Sequence, residues 1–258
     1  MSTTTTERDL LAEHDVAPPE RWLAARKAFL AREKELVRLS DAVARERRAL
    51  PWQRVAKDYV FDAPEGRRLL ADLFDGRRQL IVQHFMLGPG WEQGCPSCSY
   101  MADHTDGMTV HLAARDVSFV AVSRAPLAEI ERFKARMGWK FRWVSSAASD
   151  FNRDFHVSFD PEDRVDGEVD YNYHRTGFPG SEAPGISVFV RGARGELFHT
   201  YSTFGRGVEA MMGTYRMLDL VPKGRDEREA AANKMEWVRH HDRYAPAETT
   251  GSCCHGNG

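Results

Sequence analysis

The alternation of apolar and polar positions divides the chain into segments of different character. A polar, Thr-rich leader over residues 1–17 reads as frayed and disordered. Pro18-Pro19 then opens a long helical pattern. Trp22, Phe29, Leu36, Val43 and Leu50 recur every seven residues, with charged side chains between them. Residues 18–51 therefore predict an amphipathic helix with one apolar seam, ended by Pro51. That seam has two uses, lying along the domain that follows or pairing with a second copy in a homodimer, and the first is the expectation.

Residues 79–87 form a near-continuous apolar run, the mark of a strand buried on both faces, broken by Gly88-Pro89-Gly90. Patchy helical periodicity follows from Cys95 to about Ala114. Residues 117–123 predict a second buried strand, and Leu127, Ile130, Phe133 and Met137 mark a helix that stops at Gly138. Residues 145–185, rich in Asp, Asn, Ser, Tyr and Gly, read as an irregular insertion with room for short strands around Phe155 to Phe159. Two strands at 186–191 and 196–203, joined by a Gly-bounded turn, predict a hairpin. A core helix at 207–220 follows, then a charged helix from Arg225 to about Arg239 and a flexible tail from Ala245.

Strand–helix–strand–helix, then an antiparallel hairpin and a helix, is the order of the thioredoxin fold. The expected class is thus α/β: a mixed central sheet flanked by helices, with a long N-terminal helix and an insertion before the C-terminal β-hairpin. Four segments are expected: the leader 1–17, the helix 18–51, the thioredoxin-like domain 52–222, and a charged helix with its tail over 223–258.

Composition narrows the function. Lys and Arg number 36 against 38 Asp and Glu, a net charge of −2, so no global basic field invites nucleic acid. No apolar stretch has the length to cross a bilayer, and the N-terminus lacks the apolar core of a secretory signal. A reducing cytoplasm is the expected address, where four cysteines in 258 residues are too few for a disulfide framework.

Their spacing is more informative. Cys95-Pro96-Ser97-Cys98 lies just past the carboxyl end of the first buried strand, where a helix should begin. A helix N-terminus favours thiolate over thiol, and a second cysteine three residues on shares the same helical face. Pro96 suits the first helical turn, and Pro96 and Ser97 help to set the redox potential. The expected chemistry is thiol–disulfide exchange on a protein or small-molecule thiol or disulfide, with Cys95 as nucleophile, Cys98 resolving, and no bound organic cofactor. Half of a zinc site has the same spacing, so a copper or zinc site of Cys95, Cys98 and His199 is the alternative.

Several blocks carry a family resemblance: Arg48-Ala49-Leu50-Pro51-Trp52, His84-Phe85-Met86 leading to Gly94-Cys95-Pro96-Ser97-Cys98-Ser99, and Ser123-Arg124-Ala125-Pro126. Arg136-Met137-Gly138-Trp139, Ser149-Asp150-Phe151-Asn152 and Phe198-His199-Thr200-Tyr201-Ser202 continue it. From about Trp22 to Tyr244 the chain resembles the domain-of-unknown-function 899 family, thioredoxin-like proteins described as predicted dithiol–disulfide oxidoreductases. The resemblance implies that fold and that activity.

Other residues are candidates around the dithiol. Trp91 and Trp139 are read either as an aromatic wall beside it or as ordinary core, with core favoured for Trp139. Arg124, ending the second strand, is placed to lower the Cys95 pKa or hold an acidic substrate. The thioredoxin fold usually has a cis-proline directly before the hairpin strand and facing the dithiol; Pro184, ahead of Gly185 and the expected strand at Ile186, stands one residue early for that place. His199 is read as a proton donor, a metal ligand or a hydrogen-bonded sheet histidine, with the last favoured. His84 is read as structural, His104 as off the cysteine face and not a ligand, and Asp150, Asn152 and Asp154 as turn formers or a substrate lip. Cys253-Cys254-His255, in the tail, is left out of the site.

Overall fold

The computed structural model describes residues 14–227 and 234–245. The N-terminal helix α1 (Pro19–Arg48) starts with proline in its first turn and carries Arg45, Arg47 and Arg48 in its last, where cations suit the helix dipole. None of its residues is buried, and Trp22, Phe29 and Leu36 are 60%, 60% and 65% exposed. The expected packing of its seam on the domain is therefore corrected. Arg26 and Glu33, four residues beyond Trp22 and Phe29, share their face and form an ion pair at 2.7 Å, so the stripe is interrupted by charge. The chain then enters an edge strand, β1 (Gln53–Arg54), that is itself polar and exposed. Arg47, 4.9 Å above the Tyr201 ring, is a point of contact near the helix end.

The domain is built on an eight-stranded sheet. After β1 come β2 (Val60–Ala63), β3 (Gly66–Leu69) and β4 (Gln79–His84), then helices α2 (Pro96–Thr105) and α3 (Thr109–Ala113). Next are β5 (Val117–Ser123), α4 (Leu127–Met137), β6 (Arg142–Ser145) and the short α5 (Phe151–Asp154). A separate hairpin of β7 (Glu168–Tyr171) and β8 (His174–Gly177) precedes β9 (Gly185–Arg191), β10 (Leu197–Phe204) and α6 (Gly213–Leu218). The strands lie in the order β1-β10-β9-β4-β5-β6-β2-β3. β4, β5 and β6 are parallel, each reached by a helical crossover, and β9 runs antiparallel to β4. β4–α2–β5–α4 followed by the β9–β10 hairpin and α6 is the thioredoxin-like topology.

β4 and β5 read as continuous apolar runs because helices and loops cover both faces. Leu80, Val82, Val120 and Val122 point to one face, against Phe61, Phe74, Phe151 and Phe189. Phe119 and Ala121 point to the other, against Cys98 and Ala102 of α2, Ile130 and Phe133 of α4, and Trp143. A third cluster joins Tyr100 and Met101 of α2 to Val208, Met212, Tyr215 and Val238.

Three expectations change in detail. The insertion is not irregular: it holds α5 and the β7–β8 hairpin, and of residues 155–159 only Ser158 makes an isolated bridge, to Glu182. The expected helix at 207–220 is a 3-10 turn (Gly205–Met211) followed by α6, with Gly213 pressed on the His104 ring at the break. Residues 234–240 are turn and extended chain rather than helix, because Val238 and His240 are drawn into the domain as buried side chains. Residues 228–233 of that segment, residues 1–13 and the tail with Cys253, Cys254 and His255 lie outside the described residues. No helix among the described residues is long and apolar enough to cross a membrane.

Candidate active site: the Cys95 and Cys98 dithiol

Beyond β4 the chain turns through Gly88-Pro89-Gly90 and comes back on itself. The Cys95 N–H donates to the Met86 carbonyl at 3.0 Å, seating the first cysteine against the end of β4. Gly94 has no room for a side chain: a Cβ there would stand 2.5 Å from the Phe85 ring and 2.8 Å from the Phe133 ring. Cys95 caps α2 and Pro96 occupies the first turn. The Cys95 carbonyl accepts the Ser99 N–H and the Ser99 hydroxyl, both at 2.9 Å, and Gln83 donates to the Cys98 carbonyl at 3.2 Å.

Both cysteines are free thiols; Cys95 is half-buried and Cys98 fully buried. The Cys98 thiol donates to the Cys95 sulfur, and with the backbone N–H groups of Cys98 and Ser97 and the Ser97 side chain it brings the Cys95 pKa down to about 6. Burial works against the shift and is outweighed. Donating that bond, burial and the neighbouring Cys95 charge all hold the Cys98 thiol well above its ordinary value, opposed by a bond from the Met86 backbone. One sulfur is thus prepared as thiolate and its neighbour kept as thiol.

The other expected residues separate into two groups. Trp91 packs, partly buried, in the cluster that contains Cys95 and Cys98. Trp139 belongs to the same cluster as core: its indole donates to Asp103 at 2.7 Å and its ring packs among Phe85, Phe133, Phe141 and Trp143. Pro184 directly precedes β9, which begins at Gly185, with a trans peptide bond. Its carbonyl accepts the Tyr171 hydroxyl at 2.8 Å. Burial pushes Tyr171 up to about 12, eased by a bond from the Gly205 N–H and reinforced by the Cys98 charge.

Arg124 is not among the groups that lower the Cys95 pKa. It donates to the buried Glu182 at 2.8 Å and to Asp160 at 2.6 Å, tying the end of β5 to the insertion, so its charge is already matched. His199 lies elsewhere. It packs on Phe155 and Phe189, on the sheet face opposite α2, and shares a hydrogen bond with Ser202 at 2.7 Å. The ligand set Cys95, Cys98 and His199 is therefore corrected, since the sheet stands between them, and no group of three metal-ligating side chains occurs among the described residues. His84 is buried against Phe151 and Phe155 and bonded to Ser187, and His104 links Tyr100 to Thr214. Asp150 and Asp154 hold Lys57, each at 2.7 Å, while Asn152 joins Ser146 to Ser158.

Two contributors were given no role of their own from the sequence. Gly94 carries only the weak signal of a glycine before CxxC. His240, from the C-terminal segment, shares a bond with the Gly94 carbonyl at 2.8 Å and meets the Phe133 ring. A contact across 146 positions leaves no local pattern to read.

Among solved structures the chain is similar to peroxidoxin BcpB from Mycobacterium tuberculosis, with 14% identity and a TM-score of 0.42, over 65% of this chain and 97% of that one. It is similar to peroxiredoxin Q from Xanthomonas campestris at 12% identity and a TM-score of 0.44, over 65% and 98%. No curated protein matches the chain in sequence. Residues 11–244 match the family described as "Bacterial protein of unknown function (DUF899)", and the chain belongs to that family.

Proposed function

We propose that the protein is a thiol–disulfide oxidoreductase in which Cys95 is the nucleophile and Cys98 the resolving thiol. The observation that carries this reading is the placement of Cys95 at the cap of α2, half-buried, with the buried Cys98 thiol and two backbone N–H groups turned toward its sulfur. A thiolate so stabilised is present near neutral pH, and thiolate is the attacking species.

In the reductive direction, the Cys95 thiolate attacks one sulfur of a substrate disulfide. A Cys95–substrate bond forms, the substrate S–S bond breaks, and the second substrate sulfur leaves as thiolate. Cys98 then gives up its proton and attacks the Cys95 sulfur, releasing the first substrate sulfur. The dithiol loses two electrons and the substrate disulfide gains them as two thiols; a second dithiol or thiol pair reverses the steps and restores the enzyme. The raised Cys98 pKa keeps this thiol protonated until the mixed disulfide has formed and the Cys95 charge is gone.

Trapping tests the order of roles. With a disulfide substrate such as oxidised glutathione or a nitrobenzoate disulfide, Cys98→Ser should accumulate a mixed disulfide on Cys95, detected by mass. Cys95→Ser should accumulate none on Cys98 at neutral pH. Equal labelling of the two variants would overturn the assignment.

A further inference from the structure

α1 stands away from the domain as a helix of 30 residues with none of them buried. At the rise of an α-helix it is about 45 Å long. Helices in proteins draw most of their stability from burying one face, so a helix of this length calls for a surface to cover it. Two rows of large apolar side chains, each repeating every seven residues, supply the face. Trp22, Phe29 and Leu36 form one, Leu23, Leu30 and Val37 the other, and all six are exposed. Neighbouring residues lie about 100° apart around a helix, so the two rows bound a stripe of that width.

Arg26 and Glu33 stand between the rows, joined by their ion pair of 2.7 Å. The Arg26 guanidinium lies 5.9 Å from the centre of the Phe29 ring. Its Nη1 is out of contact with solvent and has no hydrogen-bond partner among the described residues. A purely apolar partner would bury both charges without answering either, which is costly. The surface that covers this stripe must therefore be apolar on both sides and charged along its middle, with an acceptor opposite Arg26.

No apolar row of this length occurs on the domain among the described residues. A second α1 has that length and that pattern. Laid antiparallel about a two-fold axis between Phe29 and Leu30, two copies set Trp22 against the partner's Leu36 and Leu23 against the partner's Val37. Phe29 and Leu30 meet their own counterparts at the axis. In the same register Arg26 falls opposite the partner's Glu33, and the symmetry repeats the contact. Parallel order would instead bring arginine to arginine and glutamate to glutamate. The charges that interrupt the stripe on one copy thus complete it on two. At their exposures the six apolar residues present on the order of 700 Å² per copy, roughly 1,400 Å² for the pair, which is the size of a stable interface.

We propose that α1 is a dimerisation arm whose occupant is α1 of a second copy, antiparallel and centred on Phe29 and Leu30. The interface is isologous, each copy giving the same patch. It leaves the two domains at opposite ends, with the two Arg48 residues about 55 Å apart at the rise of an α-helix.

Sedimentation equilibrium of the full chain tests this. The parent should run at twice the 29.3 kDa of one chain. Phe29→Glu places two like charges at the axis and should raise the dimer dissociation constant at least about a hundredfold. Because α1 buries nothing in the single chain, thermal unfolding of the domain should still be cooperative in this variant. Arg26→Glu faces the partner's Glu33 with a like charge and should weaken the dimer by about tenfold; Arg26→Glu combined with Glu33→Arg should restore it. Small-angle scattering of the parent should show two separated bodies. The proposal is overturned if the parent stays a single chain at concentrations on the order of 100 μM, if Phe29→Glu associates as the parent does, or if scattering shows the two domains side by side. None of these readouts depends on the dithiol.

Discussion

His240 shares a hydrogen bond of 2.8 Å with the carbonyl of Gly94, the residue before Cys95, and both partners are buried. The C-terminal segment is thereby fastened to the loop that presents the dithiol. Asp242 reinforces it with two bonds to Arg136, which also reaches Gln93, and His241 bonds to Asp103. His240→Ala removes the buried partner of the Gly94 carbonyl and should cost about 1–3 kcal/mol of stability. It should also raise the accessibility of Cys95, seen as faster alkylation at a pH where the thiolate is fully formed. Unchanged alkylation and stability would show that the segment does not brace the loop.

Arg124 and Glu182 make a contrasting prediction. Glu182 is 1% exposed, so Arg124→Met leaves a carboxylate buried without its partner. A loss on the order of 3 kcal/mol is expected in denaturant unfolding. The Cys95 pKa should not move, because Arg124 is not among the groups that stabilise the thiolate. A rise in that pKa in the variant would restore the arginine to the site.

The histidines give the protein a pH dependence on its acid side. Burial, helped by His199, lowers His84 from 6.5 to about 3, so the folded state holds it neutral while the unfolded chain takes up a proton below pH 6.5. Stability from this group is complete above that value and is lost as pH falls toward 3. At pH 5 the loss amounts to about 2 kcal/mol, before most carboxylates titrate. His84→Gln should flatten the melting temperature between pH 7 and 5, and an equally steep fall in that variant would assign the dependence elsewhere.

What could be read in the chain follows from how local each signal is. β4 and β5 were legible because strands covered on both faces are apolar throughout, and the CxxC was legible because it follows such a strand. The β9–β10 hairpin announced itself through Gly192 and Gly195. The β7–β8 hairpin did not, since its turn is Asn172-Tyr173 rather than a glycine pair and only alternate residues of β7 are buried. The strands of residues 53–69 are two to four residues long, too short for any periodicity. α1 was legible as a helix, but which way its apolar stripe faces depends on what the domain offers in return. The same holds for Arg124, whose partners are 36 and 58 positions away, and for His240.

The ionisation of Cys95 tests the central claim most directly. Ultraviolet thiolate absorbance of the fully reduced protein, followed across the pH range and compared with Cys95→Ser, isolates this sulfur from the other three. The arrangement at the cap of α2 predicts one thiol titrating at about 6 in the parent and absent from the variant. A parent curve with no ionisation until the ordinary thiol value of about 8.5 would contradict it.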